Sequence, residues 1–114
     1  MKDKPKMKDL FDRIKIASSN DSAADSQSMM MYIIEEVGEI ATCIAVEEGL
    51  KDRTLKEPKE SECCDVLISV LGLIARNKDW DYDKIIEAMS KKLPKWEKRV
   101  NKVQNDKSQK ASQE

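Results

Sequence analysis

The sequence contains no histidine among its 114 residues. That absence removes imidazole as metal ligand and general base, and with it the Glu-x-x-His pairs on which di-iron helix bundles are built. Glycine and proline number three each, too few to punctuate a fold of many short strands. The cysteines are odd in number, with Cys63 and Cys64 adjacent, so they supply neither a disulfide framework nor a CxxC zinc spacing. A reducing cytoplasm is the expected compartment. The longest mostly apolar run, Val66 to Ala75, is about half a membrane span, and the N-terminal Met1-Lys2-Asp3-Lys4-Pro5-Lys6 leads into no hydrophobic leader. A soluble chain that is not exported is expected. No charge sign dominates either: 21 Lys plus Arg stand against 22 Asp plus Glu, leaving no overall field for a nucleic-acid polymer or a membrane surface.

What is present is a set of good helix formers, Ala, Leu, Ile, Met, Glu and Lys. Met7, Leu10, Phe11 and Ile14 recur at helical spacing and predict a short first helix to about Ala17, after which Ser18-Ser19-Asn20-Asp21-Ser22 breaks the pattern and offers N-caps. A second helix is predicted from about Ala24 to Glu48 on the steps Met30, Ile33, Val37, Ile40 and Ile44, with Gly49 placed as its C-terminal cap. Pro58 suits the first turn of a third helix reaching about Asn77, so the second and third helices form an antiparallel hairpin. From Cys63 to Ala75 this third helix is apolar nearly all round, which predicts a central position or a subunit contact. A fourth helix follows the turn at residues 78–81, with Ile86, Met89, Leu93, Trp96, Val100 and Val103 as a coiled-coil-like seam and a kink expected near residue 90 from Pro94. The chain reads as all-α, with four to five helices in antiparallel hairpins that associate into an oligomeric bundle. Residues 1–103 form its one domain. Residues 104–114 have no apolar periodicity and are expected to be a disordered tail.

The informative charge is local. Glu36 and Glu39 are three apart on the second helix, with Cβ atoms about 5–6 Å apart, and Glu35 lies beside them. Between Ile16 and Leu50 there are seven acids and no Lys or Arg. Like charges at this spacing repel, and more strongly where Tyr32, Cys43 and Val46 draw the stripe into a groove; an external cation would relieve them. Glu62 and Asp65 repeat the three-residue spacing on the third helix, and an antiparallel hairpin can bring the two pairs face to face. Four carboxylates make an all-oxygen site suited to Mg²⁺ or Mn²⁺. The plainer alternative is a solvated acidic face, in which Glu62 pairs with Lys59 and Asp65 complements the helix N-terminus.

Glu35-Glu36-Val37-Gly38-Glu39, followed after 22 residues by Glu62-Cys63-Cys64-Asp65, resembles the E-E-x-x-E and E-x-x-D motif pair of the MazG-like all-α nucleoside triphosphate pyrophosphatases. Lys95-Trp96-Glu97-Lys98-Arg99 is similar to that family's K-F-x-R-R stretch, with Trp96 in place of Phe. The resemblance covers about Met29 to Val103. It implies hydrolysis of a (deoxy)nucleoside triphosphate to the monophosphate and pyrophosphate in nucleotide-pool house-cleaning, with Glu36, Glu39, Glu62 and Asp65 holding Mg²⁺, and a homodimer or homotetramer as the assembly. Glu35 is then the candidate to orient the attacking water or to assist a second metal. Lys95 and Arg99 would meet the phosphates, their stripe extended by Lys92 and Lys102, and Ser69, with Gly72 and Arg76 along the same face, would border the nucleoside. Trp80 and Trp96 read as structural. Two rivals stay open. One is a dUTPase-type or phosphoribosyl-ATP pyrophosphatase relative. The other is a non-enzymatic helical interaction module that uses the Ile86 to Val103 seam.

Overall fold

The computed structural model describes residues 3–20 and 25–113, and these form four helices and no strand: α1 (Met7–Asn20), α2 (Ser26–Glu47), α3 (Lys59–Ala75) and α4 (Tyr82–Gln113). The all-α expectation is met. No helix among the described residues is long and apolar enough to cross a membrane. The chain divides into two compact units, Met1–Trp80 and Asp81–Glu114.

In the first unit α3 packs against both α2 and α1, the central position that its all-round apolar sequence predicted. Phe11, Ile33, Cys43 and Ala75 are its buried apolar side chains, and Phe11 is 1% exposed. At Gly72, also buried, an added Cβ would stand 3.2 Å from both Met29 Cε and Ser18 Oγ and 3.8 Å from Ile14 Cγ2. The small residue therefore lets α1 and the start of α2 approach the α3 backbone together.

Local chemistry sets the helix ends. The N-cap of α2 is Asp25, whose Oδ1 accepts from the Ser28 N–H at 2.7 Å. The cap thus lies beyond the 18–22 cluster: Ser18 and Ser19 belong to α1, the Ser19 hydroxyl donating to the Ile16 carbonyl at 2.8 Å, while Asp21, Ser22 and the expected start at Ala24 fall outside the described residues. At the far end Gly49 takes φ +76. The Leu50 N–H reaches the Ala45 carbonyl at 2.8 Å and the Gly49 N–H reaches that of Val46 at 3.1 Å, closing a Schellman motif. Pro58 stands one residue earlier than expected, at the N-cap of α3. Its carbonyl accepts from Ser61 and Glu62, and its missing N–H is again no loss because a helix leaves that donor unused.

The second unit is α4. Asp81 caps it, Oδ1 accepting from the Lys84 N–H at 2.9 Å. Pro94 lies inside the helix and leaves the Ser90 carbonyl without its usual donor. Ile86, Met89, Leu93, Trp96, Val100 and Val103, the whole seam, are exposed. The helix continues to Gln113, past the Val103 limit read from the sequence. Side chains 104–111 are all exposed, so this end is held by local hydrogen bonds alone, which is marginal for a helix in water.

Candidate metal centre

The antiparallel packing of α2 on α3 brings one turn of each helix together. Glu36 from α2 and Glu62 and Asp65 from α3 each offer a carboxylate oxygen, and these oxygens lie within 4.8 Å of one another. All three side chains are half-buried. Opposite ligands on an octahedral Mg²⁺ stand about 4.2 Å apart, from bond lengths of about 2.1 Å, so small rotamer shifts would draw the three oxygens onto one ion. Glu39, exposed and one turn along α2, is not within that group. It lines an adjoining small cavity together with Glu62.

The charge balance matches an oxygen-ligated cation. Partial burial, then repulsion from Glu57, Glu36, Asp65 and Glu39, pushes the Glu62 carboxyl above its ordinary range. Glu57, at the end of the α2–α3 loop, had no part in the sequence reading. Lys59, the partner that would have made Glu62 an ordinary surface pair, is engaged elsewhere: its Nζ lies 2.8 and 3.1 Å from the two Glu47 carboxylate oxygens and 3.3 Å from Glu60. Tyr32, four residues before Glu36 on α2, lies beside these acids: its interaction with the Glu36 carboxylate, then burial and the negative charges of Asp65 and Glu62, push its phenol up. The i,i+4 spacing was the available signal for it. The residues present therefore fit a hard divalent cation: carboxylate oxygens, a mutual repulsion that such an ion removes, and no ammonium or guanidinium in the group.

A pH dependence follows with a definite sign. Because the folded-state value of Glu62 is raised above the ordinary 4.5, the folded protein binds its proton more tightly than the unfolded chain. This contribution to stability is fully present below 4.5 and is lost as pH rises through the raised folded value. Added Mg²⁺ offsets the loss only where the carboxylates are ionised. Saturating Mg²⁺ should raise Tm in a thermal scan at pH 7.5 and leave it almost unchanged at pH 4.

The other sequence-predicted residues are placed as follows. Glu35 is exposed and outside the grouped carboxylates. Ser69 is half-buried on α3, one turn beyond Asp65. Further along that face Gly72 is covered by Met29, Ser18 and Ile14, and the Arg76 guanidinium lies 3.7 Å from the Met29 sulfur. The strip is helix packing from Gly72 onward, which leaves Ser69 as its one accessible candidate. Lys95 and Arg99 are exposed, four residues apart on α4.

With this geometry in view, comparison with known proteins is decisive on one point: the family model for the MazG nucleotide pyrophosphohydrolase domain matches residues 24–103. The chain belongs to the MazG family. The match covers more than two thirds of the sequence and includes Glu36, Glu39, Glu62 and Asp65. A MazG domain is a nucleotide pyrophosphohydrolase domain, and the acidic cluster of α2 and α3 accords with the divalent-metal dependence typical of that family. The helix α1 precedes the matched region, although it supplies the most deeply buried side chain of the first unit. Neither curated proteins nor solved structures yield a match.

Proposed function

We propose that this MazG domain is a Mg²⁺-dependent nucleoside triphosphate pyrophosphohydrolase, converting a (d)NTP and water to the (d)NMP and pyrophosphate. Its role would be house-cleaning of the cytoplasmic nucleotide pool, with deoxynucleotides preferred. The observation that carries the reading is the meeting of Glu36, Glu62 and Asp65 within 4.8 Å across two helices, with no ion pair to any of them among the described residues.

In this reading Glu36, Glu62 and Asp65 hold the metal, and Glu39 completes the set from the adjoining cavity. Bound there, Mg²⁺ would screen phosphate oxygens and lower the pKa of a coordinated water; Mn²⁺ would suit the same oxygens. Tyr32, one turn before Glu36 and influenced by its charge, is the candidate to position that carboxylate. Glu35 is the candidate for orienting the attacking water, Lys95 and Arg99 for binding phosphate, and Ser69 for bordering the nucleoside. Such residues act by positioning and charge, the main sources of rate in phosphoryl chemistry.

Assembly as a homodimer or homotetramer is supported by the apolar side chains left exposed on all four helices, among them Ile16 on α1, Met31 and Ile34 on α2, Leu67 and Ile68 on α3, and Leu93 and Trp96 on α4. The same exposed α4 seam favours the rival reading, an interaction module without catalysis.

A panel of ribo- and deoxynucleoside triphosphates, assayed with Mg²⁺ for pyrophosphate and monophosphate, separates the two. The enzyme reading expects pyrophosphate from at least one nucleotide, faster from the deoxy form, with no release in EDTA. No pyrophosphate from any nucleotide leaves the interaction module.

A further inference from the structure

The α2–α3 loop carries two basic residues that border the carboxylates. Arg53 and Lys56 line a cavity of about 60 Å³ together with Glu39, Cys43, Glu57 and Glu62. Two of those acids, Glu39 and Glu62, are among the four carboxylates assigned to the metal.

The loop is fixed at both ends. The Schellman motif at Gly49 sets its exit from α2. Near α3, the Glu57 carbonyl lies 3.9 Å from the buried Cys43 sulfur as its hydrogen-bond acceptor. Arg53 is close enough for its charge to act on that thiol, opposing the upward push from burial and from Glu62, Glu39 and Glu47. Yet among the described residues neither Arg53 nor Lys56 forms an ion pair within 4.0 Å, whereas Lys59 a few residues on is tied to Glu47 and Glu60. Two cations thus share a cavity with the acids and do not neutralise them.

We propose that Arg53 and Lys56 form a phosphate-binding edge of the metal centre, taking the polyphosphate of the substrate beside the Glu39 and Glu62 carboxylates with which they share the cavity. This rests on the nucleotide reading above and extends it to residues of the loop. The cavity is too small to hold a nucleotide, so it takes only the edge of one. A guanidinium presents paired N–H donors to two phosphoryl oxygens, and the Lys56 ammonium adds a point charge. A cation already locked to a carboxylate would have to release it first; these two are available.

The test is calorimetric binding of inorganic pyrophosphate in the presence of Mg²⁺ to the full chain and to Arg53→Ala, Lys56→Ala and Lys51→Ala. Lys51 lies on the same loop, is exposed and does not line the cavity. Arg53→Ala should weaken pyrophosphate by about 10-fold or more and Lys56→Ala by about 3-fold, with Lys51→Ala unchanged. Mg²⁺ alone should bind Arg53→Ala as tightly as wild type or more tightly, because a cation opposing it has gone. Arg53→Lys should recover part of the loss. Unchanged pyrophosphate affinity in both variants, or a parallel loss of Mg²⁺ affinity and melting temperature, overturns the proposal, as does a wild type that binds no pyrophosphate. If the nucleotide panel shows no hydrolysis while pyrophosphate still binds through Arg53, the catalytic reading fails and the phosphate site stands.

Discussion

Asp65→Asn is expected to lower kcat by about 10²–10³-fold while the protein stays folded. The substitution keeps the shape of the side chain and removes one negative charge from a group whose oxygens lie within 4.8 Å of one another. A metal that stabilises phosphoryl charge contributes several kcal/mol to the transition state, and each factor of ten in rate corresponds to about 1.4 kcal/mol; losing much of that contribution gives the stated range. Stability should move the other way. Asp65 is one of the charges that push Glu62 up, so with the repulsion reduced the metal-free variant should melt no lower than metal-free wild type at pH 7.5. Loss of activity with an equal or higher Tm is the signature of a ligand, whereas a fall in both would mark Asp65 as a structural residue. Steady-state kinetics at several Mg²⁺ concentrations, paired with thermal scans, reads both quantities.

The largest effect on stability is expected at Phe11→Ala. Phe11 is 1% exposed on α1, which packs on α3, and truncating a buried phenylalanine costs about 3–5 kcal/mol. A domain of this size has a total stability of only about 5–15 kcal/mol. At about 4–8 °C per kcal/mol, Tm should fall by about 12 °C or more, or the fold should be lost. Ile16, on the same helix and 63% exposed, gives the contrast: Ile16→Ala should stay within about 0.5 kcal/mol of wild type. Circular dichroism melts of the two variants check the pair. A small change at Phe11 would mean that α1 is dispensable to the packing of α3, in line with its position before the matched family region.

The sequence was most informative where helical period and charge act together. Glu36, Glu62 and Asp65 were legible because three-residue spacing on two antiparallel helices leaves few ways to arrange four acids, and the missing basic partners made the repulsion visible. Glu39 shares that spacing but lies one turn further along α2, so it stands beside Glu62 in the adjoining cavity and not within the group of three. Spacing fixes the face of a helix; the depth of its neighbour fixes which turn meets which. Gly49 was legible because only a left-handed backbone closes that motif without strain. The cap of α2 was not, since residues 18–22 and Asp25 offer the same side-chain chemistry and the extent of α1 decides between them. Pro58 was displaced by one residue for a similar reason: the N-cap and the first turn both tolerate a missing N–H. Arg53, Lys56 and Glu57 sit in a loop without period, and their relation to the acids is visible only once Cys43 and the loop backbone are placed. At the other end of the chain, the lack of an apolar stripe beyond Val103 signalled that nothing packs there; it did not speak to the local hydrogen bonds that carry α4 to Gln113.

The central claim, that the carboxylates of α2 and α3 bind a divalent cation, is tested most directly by titrating the purified protein with Mn²⁺ and reading free Mn²⁺ by electron paramagnetic resonance. The account predicts a saturable loss of free signal at pH 7.5, its recovery on adding excess Mg²⁺, and greatly weakened binding in Asp65→Asn. A folded wild-type protein that leaves the Mn²⁺ signal at its free value, or an Asp65→Asn variant that binds Mn²⁺ as the wild type does, would contradict it.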